Sequence, residues 1–591
     1  MKKFWKYALI AIGGLAVLGF VIGWIIVVIF SSLFPSSPST VSVEKNSVMC
    51  IQLEGTLSER SSESSIFDML GSATASIGLD DMLGAICLAK ENKNVRCIYI
   101  RCGMLTGATP AMLQELRDAL ADFKKAGKSV VAYADNYTQG TYYVGSVADK
   151  LVVNPSGMIE LSGLSSTTVY FTQLLEKVGV KMQIFKVGTY KSAVEPYMLD
   201  SMSVANREQT TVFSNEIWNE MLDDISKSRK IKKAHLNELV DEGLMFKPSA
   251  YYVKSHLADK LAYEDAMPDI ISRMVGCDKD KYNEVGIFDV WATAPTVNYD
   301  EDNQIAVYYA TGEIVQDSPT SFPSDNQIVG SIVSEDLKAL AEDDNVKAVV
   351  LRVNSPGGSA YAAEQIWHQV KNIKAKKPII VSMGGYAASG GYYISCAADW
   401  IVAEPTTLTG SIGIFGMFPT AGELLEDKLG LHFSTVKTNE YSDFGAFNRP
   451  MNEGETAILQ GYINQGYELF TKRCADGRKM EQDSIKVIGE GRVWTGLHAK
   501  QLGLVDQLGS LDDAIAVAKK RAKLKDYTLV EYPAKTDFWN ELIDQVLGST
   551  AVDEELQNSL GEYYDLFRSV KDAGKRDCIQ AAMPYLLRFN L

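Results

Sequence analysis

Ser389 is the side chain in this sequence whose type and surroundings are best suited to nucleophilic chemistry. It lies in a glycine-rich segment, Val381–Pro405, that repeats an earlier segment, Val131–Pro155, at a constant offset of 250 residues. Glycines, paired tyrosines, an aspartate and the final proline match between the two copies, but Gln139 stands in the first copy where Ser389 stands in the second. An internal duplication is the simplest explanation, and it leaves a hydroxyl at this turn in one copy only.

Lys191 is the complementary residue, because it occurs only in the first copy. The same offset leads to Tyr441, and an offset of 251 leads to Ser442, so the second copy has no matching lysine. Alone, a lysine is usually solvated and a serine before a helix is usually a cap. A serine in one copy and a lysine in the other are what remains when two equivalent sites merge into one. The pair predicts a nucleophile and its base.

Two further glycine-rich or small-residue turns could complete such a site. Asn354–Ser359 follows an apolar strand pattern and contains two successive glycines, which let a backbone approach a ligand closely and place amide groups for an oxyanion. Thr409–Gly413 contains Ser411, whose hydroxyl could hold a lysine amine in place. Most glycine-rich turns have no catalytic role. These two segments are candidates for the site only because Ser389 and Lys191 already indicate one.

The histidines offer little support for a Ser-His-Asp triad. None of them repeats between the copies or lies in a glycine-rich turn, and they are His235, His256, His368, His432 and His498. A lysine can act as the base instead if burial lowers its pKa enough to keep the amine neutral near pH 7. Lys191 has the partly apolar neighbours Tyr190, Ala193 and Val194, which fits that requirement.

Composition excludes several classes of function. The chain has 591 residues, of which 46% are hydrophobic and 22% charged, enough for two large globular domains. Its net charge of −16 argues against a nucleic-acid partner, because no basic field is present to displace counterions. The eight cysteines are scattered without a C-x-x-C pair or a nearby histidine, so no disulfide framework, metal site or cofactor is expected.

The N-terminus predicts a membrane anchor. Ala8–Phe30 carries no charge and is long enough to cross a bilayer as a helix. Lys2, Lys3 and Lys6 precede it, and the next positive charge is Lys45, so the positive-inside rule places residues 1–7 in the cytoplasm and the remainder outside. A cleaved signal peptide is the alternative, but the apolar run is longer than usual and no small-x-small site follows closely. Residues 31–44 then form a linker.

Strand and helix patterns alternate after the linker and recur between the copies. Repeated βα units of this kind predict an α/β fold in which helices cover a sheet and active residues lie in loops at strand ends. The matched strand, strand, helix and strand patterns are Val48–Leu53 with Ile305–Tyr309, Val95–Arg101 with Val346–Arg352, Ala111–Ala126 with Ala360–Ile373, and Ser129–Ala134 with Pro378–Met383. We therefore expect one α/β domain over residues 45–290, a second over 300–535, and a helical extension over 536–591.

Four motifs carry a resemblance to a known family. Tyr190–Pro196, Arg352–Ser359, Ser382–Tyr393 and Thr407–Gly416 resemble the corresponding motifs of the signal peptide peptidase A family, peptidase family S49, in its long two-repeat form. The resemblance spans nearly the whole chain. It implies two tandem, pseudo-symmetric domains of the crotonase/Clp protease type, each a spiral of ββα units, behind an N-terminal transmembrane helix.

The resemblance also implies roles for individual residues. Ser389 would be the nucleophile, Lys191 the general base, Gly357 and Gly358 the backbone donors of the oxyanion hole, and Ser411 a supporting residue beside the lysine. The expected activity is that of a serine endopeptidase that degrades remnant signal peptides and other hydrophobic peptides. The family's members assemble as homotetramers, with the catalytic domains on the outer face of the bacterial cytoplasmic membrane.

Two other functions remain as alternatives at this point. A crotonase-like architecture also hosts acyl-CoA chemistry, although that reading leaves Lys191 and Ser389 unexplained. A non-catalytic membrane scaffold would use the duplicated domains for assembly alone. CoA-dependent product formation would favour the first alternative, and an unreactive Ser389 in a properly folded oligomer would favour the second.

Overall fold

The structure, a computed structural model, describes residues 41–61, 76–279, 281–294, 302–317, 327–534 and 579–583. The expected anchor at residues 8–30 lies outside these residues, as does the expected C-terminal extension except for residues 579–583. Within the described ranges, no helix combines the length and apolarity that a membrane crossing requires.

The first half of the chain alternates strands and helices. Its strands are β1 (Ser47–Ser58), β2 (Ser76–Gly78), β3 (Val95–Thr106), β4 (Ser129–Ala134), β5 (Lys150–Val153), β6 (Lys181–Lys186), β7 (Lys260–Leu261) and β8 (Asn283–Val285). Its α-helices are α1 (Leu79–Glu91), α2 (Pro110–Lys125), α3 (Gln139–Gly145), α4 (Thr172–Val178), α5 (Val204–Arg229), α6 (Lys233–Asp241), α7 (Ser249–Lys254), α8 (Met267–Val275) and α9 (Ile287–Trp291). Short 3-10 helices lie at Ser192–Tyr197, Leu244–Phe246 and Glu264–Ala266.

The second half repeats this order. Its strands are β9 (Gln304–Thr311), β10 (Glu313–Val315), β11 (Gln327–Val329), β12 (Val346–Ser355), β13 (Gly357–Ser359), β14 (Ile379–Ala388), β15 (Trp400–Ala403), β16 (Leu408–Gly410), β17 (Phe415–Thr420), β18 (Val493–Thr495), β19 (Gln507–Leu508), β20 (Thr528–Tyr532) and β21 (Ile579–Ala582). Its α-helices are α10 (Gly330–Glu342), α11 (Ala360–Lys374), α12 (Gly390–Ser395), α13 (Glu453–Arg478), α14 (Gln482–Ile488), α15 (Gly496–Gln501) and α16 (Leu511–Arg521), with one π-helical turn at Leu424–Lys428.

Parallel sheets form the centre of each half. In the part of the chain that the structure describes, β1, β3, β4, β5 and β7 pair in that order, with β2 and β8 on β1. The matching order in the second half is β9, β12 and β14, with β20 on β9 and both β15 and β16 on β14. Helices cover these apolar strands, so the expected α/β fold and the matched strand and helix patterns are confirmed.

The same tertiary contacts recur in both halves. The Tyr142 hydroxyl donates to the carbonyl of Leu257 at 3.0 Å, and the Tyr392 hydroxyl donates to the carbonyl of Leu504 at 3.0 Å. Tyr142 lies in the helix that begins at Gln139, and Tyr392 lies in the helix that begins directly after Ser389. The duplication read from the sequence is therefore also present in the three-dimensional contacts.

A mixed sheet joins the two halves beside the glycine-rich turns. In the described residues its order is β11, β10, β13, β21, β17 and β6. Strand β6 belongs to the first half and runs antiparallel to β17 of the second, with Lys186 opposite Phe415. Strand β21 runs antiparallel between β13 and β17. Because β6 leads directly to Lys191, this sheet carries the lysine into the second half.

Candidate active site

Ser389 lies at a sharp turn between β14 and α12. Its backbone has φ 55° and ψ −112°, a conformation that non-glycine residues rarely adopt. The Ser389 amide donates to the carbonyl of Gly410 at 2.8 Å, and its carbonyl accepts from the amide of Tyr393 at 2.8 Å. Although Ser389 holds the N-cap position of α12, its side chain makes no capping hydrogen bond. The hydroxyl is therefore free of the structural role that serines usually have at a helix start.

Lys191 reaches this hydroxyl from the other half of the chain. The Lys191 Nζ lies 2.7 Å from Ser389 Oγ, 3.0 Å from Ser411 Oγ and 3.1 Å from the carbonyl oxygen of Ser411. Both Lys191 and Ser389 have 0% of their surface exposed. The structure thus brings together the three side chains that the sequence singled out.

Burial sets the protonation state of the lysine. Removal from water lowers the pKa of Lys191 well below its ordinary value, because desolvation disfavours the charged ammonium. A neutral amine has two N–H donors and one lone pair. The two oxygens of Ser411 can accept the donors, and the lone pair can accept the Ser389 hydroxyl proton. The observed partners therefore suit a neutral lysine poised to remove a proton from serine.

Gly357 and Gly358 lie in a backbone conformation that requires glycine. Their φ values are 100° and 153°, and a Cβ on Gly357 would lie 2.1 Å from the carbonyl oxygen of Ala581 and 2.8 Å from the amide nitrogen of Gly390. The Gly357 amide donates to Ser355 Oγ at 3.1 Å in this structure. Gly357 therefore lies against the turn that carries Ser389, and Gly358 lies against Ile314 of β10.

Gly390 is a residue whose place in the site the sequence did not indicate. Its amide is the first of helix α12, directly after Ser389, and it faces Gly357. A helix N-terminus presents unpaired N–H groups that favour negative charge. The signal was available, since the residue after a nucleophile at a strand-to-helix turn often supplies an oxyanion donor.

The segment Glu490–Val493 is a second feature that the sequence did not indicate. The Tyr190 amide donates to the carbonyl of Glu490 at 2.9 Å, and the Ser411 amide donates to the carbonyl of Arg492 at 2.7 Å. The segment therefore lies between the lysine of the first half and the Ser411 turn of the second. The contacts of this segment form only in the folded protein, and no local pattern in the sequence indicates them.

In the first half, Gln139 occupies the position equivalent to Ser389, and its side chain is bonded to the backbone. The Gln139 Oε1 accepts hydrogen bonds from the amides of Ser162 and Gly163 at 3.0 and 2.9 Å. Tyr441 and Ser442, the positions that the repeat offset relates to Lys191, are exposed. The described residues thus hold a serine and a lysine together at one of the two equivalent places.

The other ionisable groups give no competing site in the described residues. No group of three or more histidine, cysteine, aspartate or glutamate side chains there could hold a metal ion. The His498 Nδ1 lies 2.9 Å from Glu216 Oε1, and the His235 Nδ1 lies 3.2 Å from Glu238 Oε2. These histidines contact carboxylates of their own surroundings, whereas Ser389 Oγ contacts Lys191.

Comparison with known proteins relates the chain to peptidases. The model of peptidase family S49 matches residues 122–274 and again residues 371–525, one match in each half. The Clp protease family model matches residues 319–403. The two S49 matches correspond to the duplication found within the chain.

Full-length relatives extend the same result. Protease 4 of Salmonella typhi is 36% identical over 507 residues, which cover 84% of this chain and 78% of that protein. Protease 4 of Haemophilus influenzae is 34% identical over 87% of this chain and 85% of its own length. The chloroplastic serine protease SPPA of Arabidopsis thaliana is 30% identical over 88% of this chain and 76% of its own length.

Proposed function

The chain belongs to peptidase family S49 and is a serine protease, and on that premise we propose that Ser389 and Lys191 form its catalytic dyad. The observation that carries this proposal is the 2.7 Å separation of Lys191 Nζ and Ser389 Oγ, two fully buried groups from opposite halves of the chain. A buried lysine beside a serine at a strained turn is unusual unless it serves chemistry.

The proposed reaction proceeds through an acyl-enzyme. Neutral Lys191 accepts the Ser389 proton as Oγ attacks the peptide carbonyl, and the resulting ammonium then protonates the leaving amine as the C–N bond breaks. A water molecule next loses a proton to Lys191 and attacks the acyl carbonyl, and Ser389 leaves with that proton. Ser411 keeps the amine directed at Ser389 throughout, since its two oxygens accept the N–H groups.

The negative charge of each tetrahedral intermediate is assigned to backbone donors. The Gly390 amide begins helix α12, Gly357 lies directly against it, and Gly358 follows Gly357 in β13. The Gly357 amide would exchange its bond to Ser355 Oγ, 3.1 Å away, for the oxyanion. Donors fixed in a buried site are effective because they need no reorganisation during the reaction.

An extended peptide is the substrate that best fits the surface beside the dyad. Strands β13 and β17 lie on either side of β21, a four-residue segment of sequence I-Q-A-A that pairs antiparallel with both. The carbonyl oxygen of Ala581 in β21 is the atom that a Cβ on Gly357 would meet. In this structure β21 fills the place between β13 and β17, so an apolar peptide would bind there as a strand by replacing β21, and one of its carbonyls would then lie at the turn of Ser389.

Remnant signal peptides and other hydrophobic peptides are the proposed substrates. The uncharged stretch Ala8–Phe30 would act as a single-pass anchor in the cytoplasmic membrane, ahead of two tandem crotonase/Clp-like domains on the outer side. An enzyme held at the bilayer surface meets membrane-embedded peptides by geometry. Assembly as a homotetramer, which the family resemblance implies, would enclose the sites and restrict them to unfolded chains.

Hydrolysis of a fluorogenic peptide with a small apolar residue before the reporter tests the dyad. Ser389→Ala and Lys191→Ala are each expected to lower kcat by about 10⁴-fold or more, because removing one member of a catalytic unit costs nearly as much rate as removing all of them. The double variant is expected to lose no more than either single variant. Full turnover by folded Lys191→Ala would show that Lys191 is not the base.

The control for this experiment is a lysine of similar chemistry outside the site. Lys128 donates to the carbonyls of Ala89 and Asn92 through Nζ, and Lys128→Ala is expected to keep wild-type turnover. A fluorophosphonate reagent that labels wild type at Ser389 and fails to label Lys191→Ala would support activation of the serine by this lysine. Equal labelling rates in both proteins would contradict it.

A further inference from the structure

We propose that Gln209 is a positioning residue for the general base, holding the backbone on both sides of Lys191 against the second half of the chain. The inference rests on the proposed role of Lys191. Gln209 lies in helix α5 with 2% of its surface exposed, and it touches neither Ser389 nor the Lys191 amine. Its effect would therefore act through the lysine rather than on the substrate.

The amide nitrogen of Gln209 binds the two residues that flank the lysine. Its Nε2 donates to the carbonyl of Tyr190 at 3.0 Å and to the hydroxyl of Ser192 at 2.9 Å. Lys191 is thus held at both of its peptide neighbours by one side chain. Apart from these bonds, the backbone of the lysine segment is held by the Tyr190 amide, which donates to the carbonyl of Glu490 at 2.9 Å, and by the Lys191 amide, which donates to the carbonyl of Gly188 at 3.4 Å.

The amide oxygen of Gln209 binds the other half of the chain. Its Oε1 accepts from the backbone amide of Val493 at 3.1 Å, at the start of β18. The preceding residue, Arg492, accepts from the Ser411 amide at 2.7 Å, and Ser411 contacts the lysine amine. One buried amide therefore connects the segment of the base to the segment that orients the base.

Close packing makes this connection sensitive to small shifts. A Cβ on Gly491 would lie 2.6 Å from Lys191 Cβ and 2.7 Å from Lys191 Cα, so the two backbones are in direct contact. A Cβ on Gly413 would lie 3.2 Å from Lys191 Cδ. Losing the Gln209 bonds would let these surfaces separate, and a displacement of about 1 Å at a catalytic group can cost about 100-fold in rate.

A buried network holds Gln209 in turn. Glu195 is 1% exposed, and its carboxylate accepts from Ser203 Oγ at 2.5 Å and from Asn206 Nδ2 at 2.9 Å. The Asn206 Oδ1 lies 3.2 Å from Gln209 Nε2, whose two hydrogens are shared among Tyr190, Ser192 and Asn206. The first turns of α5 and the 3-10 helix after Lys191 are therefore tied together around the glutamine.

The duplication supplies an internal comparison. Helix α5 spans Val204–Arg229 and α13 spans Glu453–Arg478, an offset of 249 residues, so the counterpart of Gln209 in α13 is Ile458, which is followed by the buried Leu459. The half without a catalytic lysine therefore carries an aliphatic side chain at this helix position. An amide is present only in the half that has a lysine segment to hold.

In contrast to Gln209, an ion pair at the end of each of these two helices is present in both halves. Arg229 at the end of α5 binds Asp259 at 2.9 Å, and Arg478 at the end of α13 binds Asp506 at 2.6 Å. Interactions that serve the fold are thus repeated along the same two helices. Gln209, like Lys191 and Ser389, has no residue of the same type at the equivalent position of the other copy, as a role confined to the half that carries the lysine requires.

The experiment compares Gln209→Met with Gln114→Met in the full chain. Gln114 is a matched control, because it is 5% exposed and also bonds across the halves, accepting from Thr406 Oγ1 at 2.9 Å, but it does not contact the lysine segment. Gln209→Met is expected to lower kcat by about 10- to 100-fold with KM changed less than about threefold. Gln114→Met is expected to keep kcat within about threefold of wild type.

The pH profile separates positioning from a general loss of structure. Loosening the lysine segment admits water to Lys191, which reduces the desolvation that lowers its pKa. The acid limb of kcat/KM is therefore expected to move to higher pH in Gln209→Met and to stay in place in Gln114→Met. An unchanged limb together with kcat within about threefold of wild type would overturn the proposal.

Ser192→Ala provides a second, smaller change if Gln209→Met does not fold. It removes one acceptor of the Gln209 amide and is expected to lower kcat in the same direction, by about 3- to 10-fold. Combined with Gln209→Met it should add little, since both changes break one connection. Full activity of Ser192→Ala with an unshifted acid limb, in the absence of a folded Gln209→Met, would also overturn the proposal.

Lys191→Ala distinguishes failure of the proposed dyad from failure of the proposed role of Gln209. If Lys191→Ala keeps turnover, the proposed dyad fails and the role of Gln209 fails with it. If Lys191→Ala is inactive but Gln209→Met matches wild type in kcat and pH profile, the dyad stands and the positioning role alone is wrong.

Discussion

At the residue scale, the feature that most needs explanation is a lysine without solvent. Lys191 has 0% of its surface exposed, and its amine contacts hydroxyl and carbonyl oxygens rather than a carboxylate. Burial of an amine in this way is unfavourable, because the unfolded chain can keep the same group protonated and hydrated. The site therefore costs stability that other parts of the fold must offset, as is common at catalytic positions.

Replacing the lysine by an apolar side chain of similar length should reveal this cost. Because the pKa of Lys191 is lowered on folding, the unfolded state binds about one proton more than the folded state in the pH range between the lowered folded-state pKa and the ordinary value of 10.5. Wild-type stability from this group thus rises with pH toward that value. Lys191→Met is expected to be inactive and more stable than wild type at pH 7, with the difference shrinking as the pH rises.

Urea unfolding at pH 6, 7, 8 and 9, at one protein concentration, measures the difference. Lys254→Met is the control, because Lys254 is an exposed lysine at the end of helix α7. Its stability relative to wild type should not depend on pH. A Lys191→Met protein that is less stable than wild type at every pH would mean that the lysine contributes more through packing than its desolvation costs.

At the element scale, the site depends on turns whose backbones touch. Strand β14 leads to Ser389, and the segment after β6 leads to Lys191. Residues 490–493, before and at the start of β18, lie between the lysine segment and the turn that contains Ser411. Gly491 has φ 76° and no room for a side chain, because the Lys191 backbone occupies the space where a Cβ would stand. Two backbones can approach this closely only at glycine.

Gly491→Ala is therefore expected to disturb the lysine segment directly. The added methyl group would have to displace Lys191, so we expect kcat to fall by at least about tenfold, in line with a misplaced base. Gly461→Ala is the matched control, since Gly461 lies inside α13 with no neighbouring atom within 4 Å of its Cβ position. That change should leave kcat unaltered and stabilise the protein by up to about 1 kcal/mol. Peptide hydrolysis measures kcat of both variants, and thermal unfolding measures their stability. A wild-type kcat in Gly491→Ala would contradict the expected displacement of Lys191.

Sequence patterns predicted the repeated elements well because those patterns are local. The pattern Ser129–Ala134 coincides with β4, and the helix pattern Ala360–Ile373 differs from α11 by one residue. Strand β14 extends five residues beyond the pattern that ended at Met383, because Gly384–Ala388 continues the pairing toward β16. Glycines that would break an isolated strand are accommodated there against Glu59 and Thr109 of the first half.

The site was partly accessible to sequence reasoning for a different reason. The duplication identified Ser389 and Lys191 by their failure to repeat, and the structure places them in contact. Gln209 fails to repeat in the same way, but a buried glutamine in a helix has no chemistry of its own to attract notice. Its contacts with Tyr190, Ser192 and Val493 join segments that are 17 to 284 residues away in sequence, and only the folded structure brings them together.

At the scale of the whole molecule, a buried ionic cluster connects the halves. Arg352 of β12 lies 3.0 Å from Glu59 and binds both oxygens of Glu115 at 2.8 and 3.1 Å, and all three side chains are at most 4% exposed. Glu59 and Glu115 belong to the first half, whereas Arg352 leads into the turn that contains Gly357. The cluster therefore helps to fix the two halves of the chain, and with them Lys191 and Ser389, relative to each other.

The cluster has one carboxylate more than its single arginine can balance. Burial, with Glu59 as a further contribution and Arg352 acting in the opposite direction, raises the pKa of Glu115 to about 6. Burial also raises the pKa of Glu404 well above its usual value, with Glu115 as a second cause. A carboxyl whose pKa is raised on folding contributes stability below pH 4.5, and that contribution is lost as the pH rises through about 6. The contact between the halves is thus expected to weaken from mildly acidic to neutral pH.

Removing the arginine should expose how strongly the halves depend on this cluster. Arg352→Met leaves two buried carboxyls without their cation, and breaking a buried pair in this way costs about 3–5 kcal/mol. The loss should be largest at pH 8 and smaller at pH 5, which is below the raised pKa of Glu115, about 6. Adding Glu59→Gln and Glu115→Gln to Arg352→Met should recover much of the stability and remove the pH dependence, because no buried charge then remains unpaired. Urea unfolding of the single and triple variants at both pH values tests this, and a loss that is equal at pH 5 and pH 8 would show that Arg352 acts through packing instead of charge.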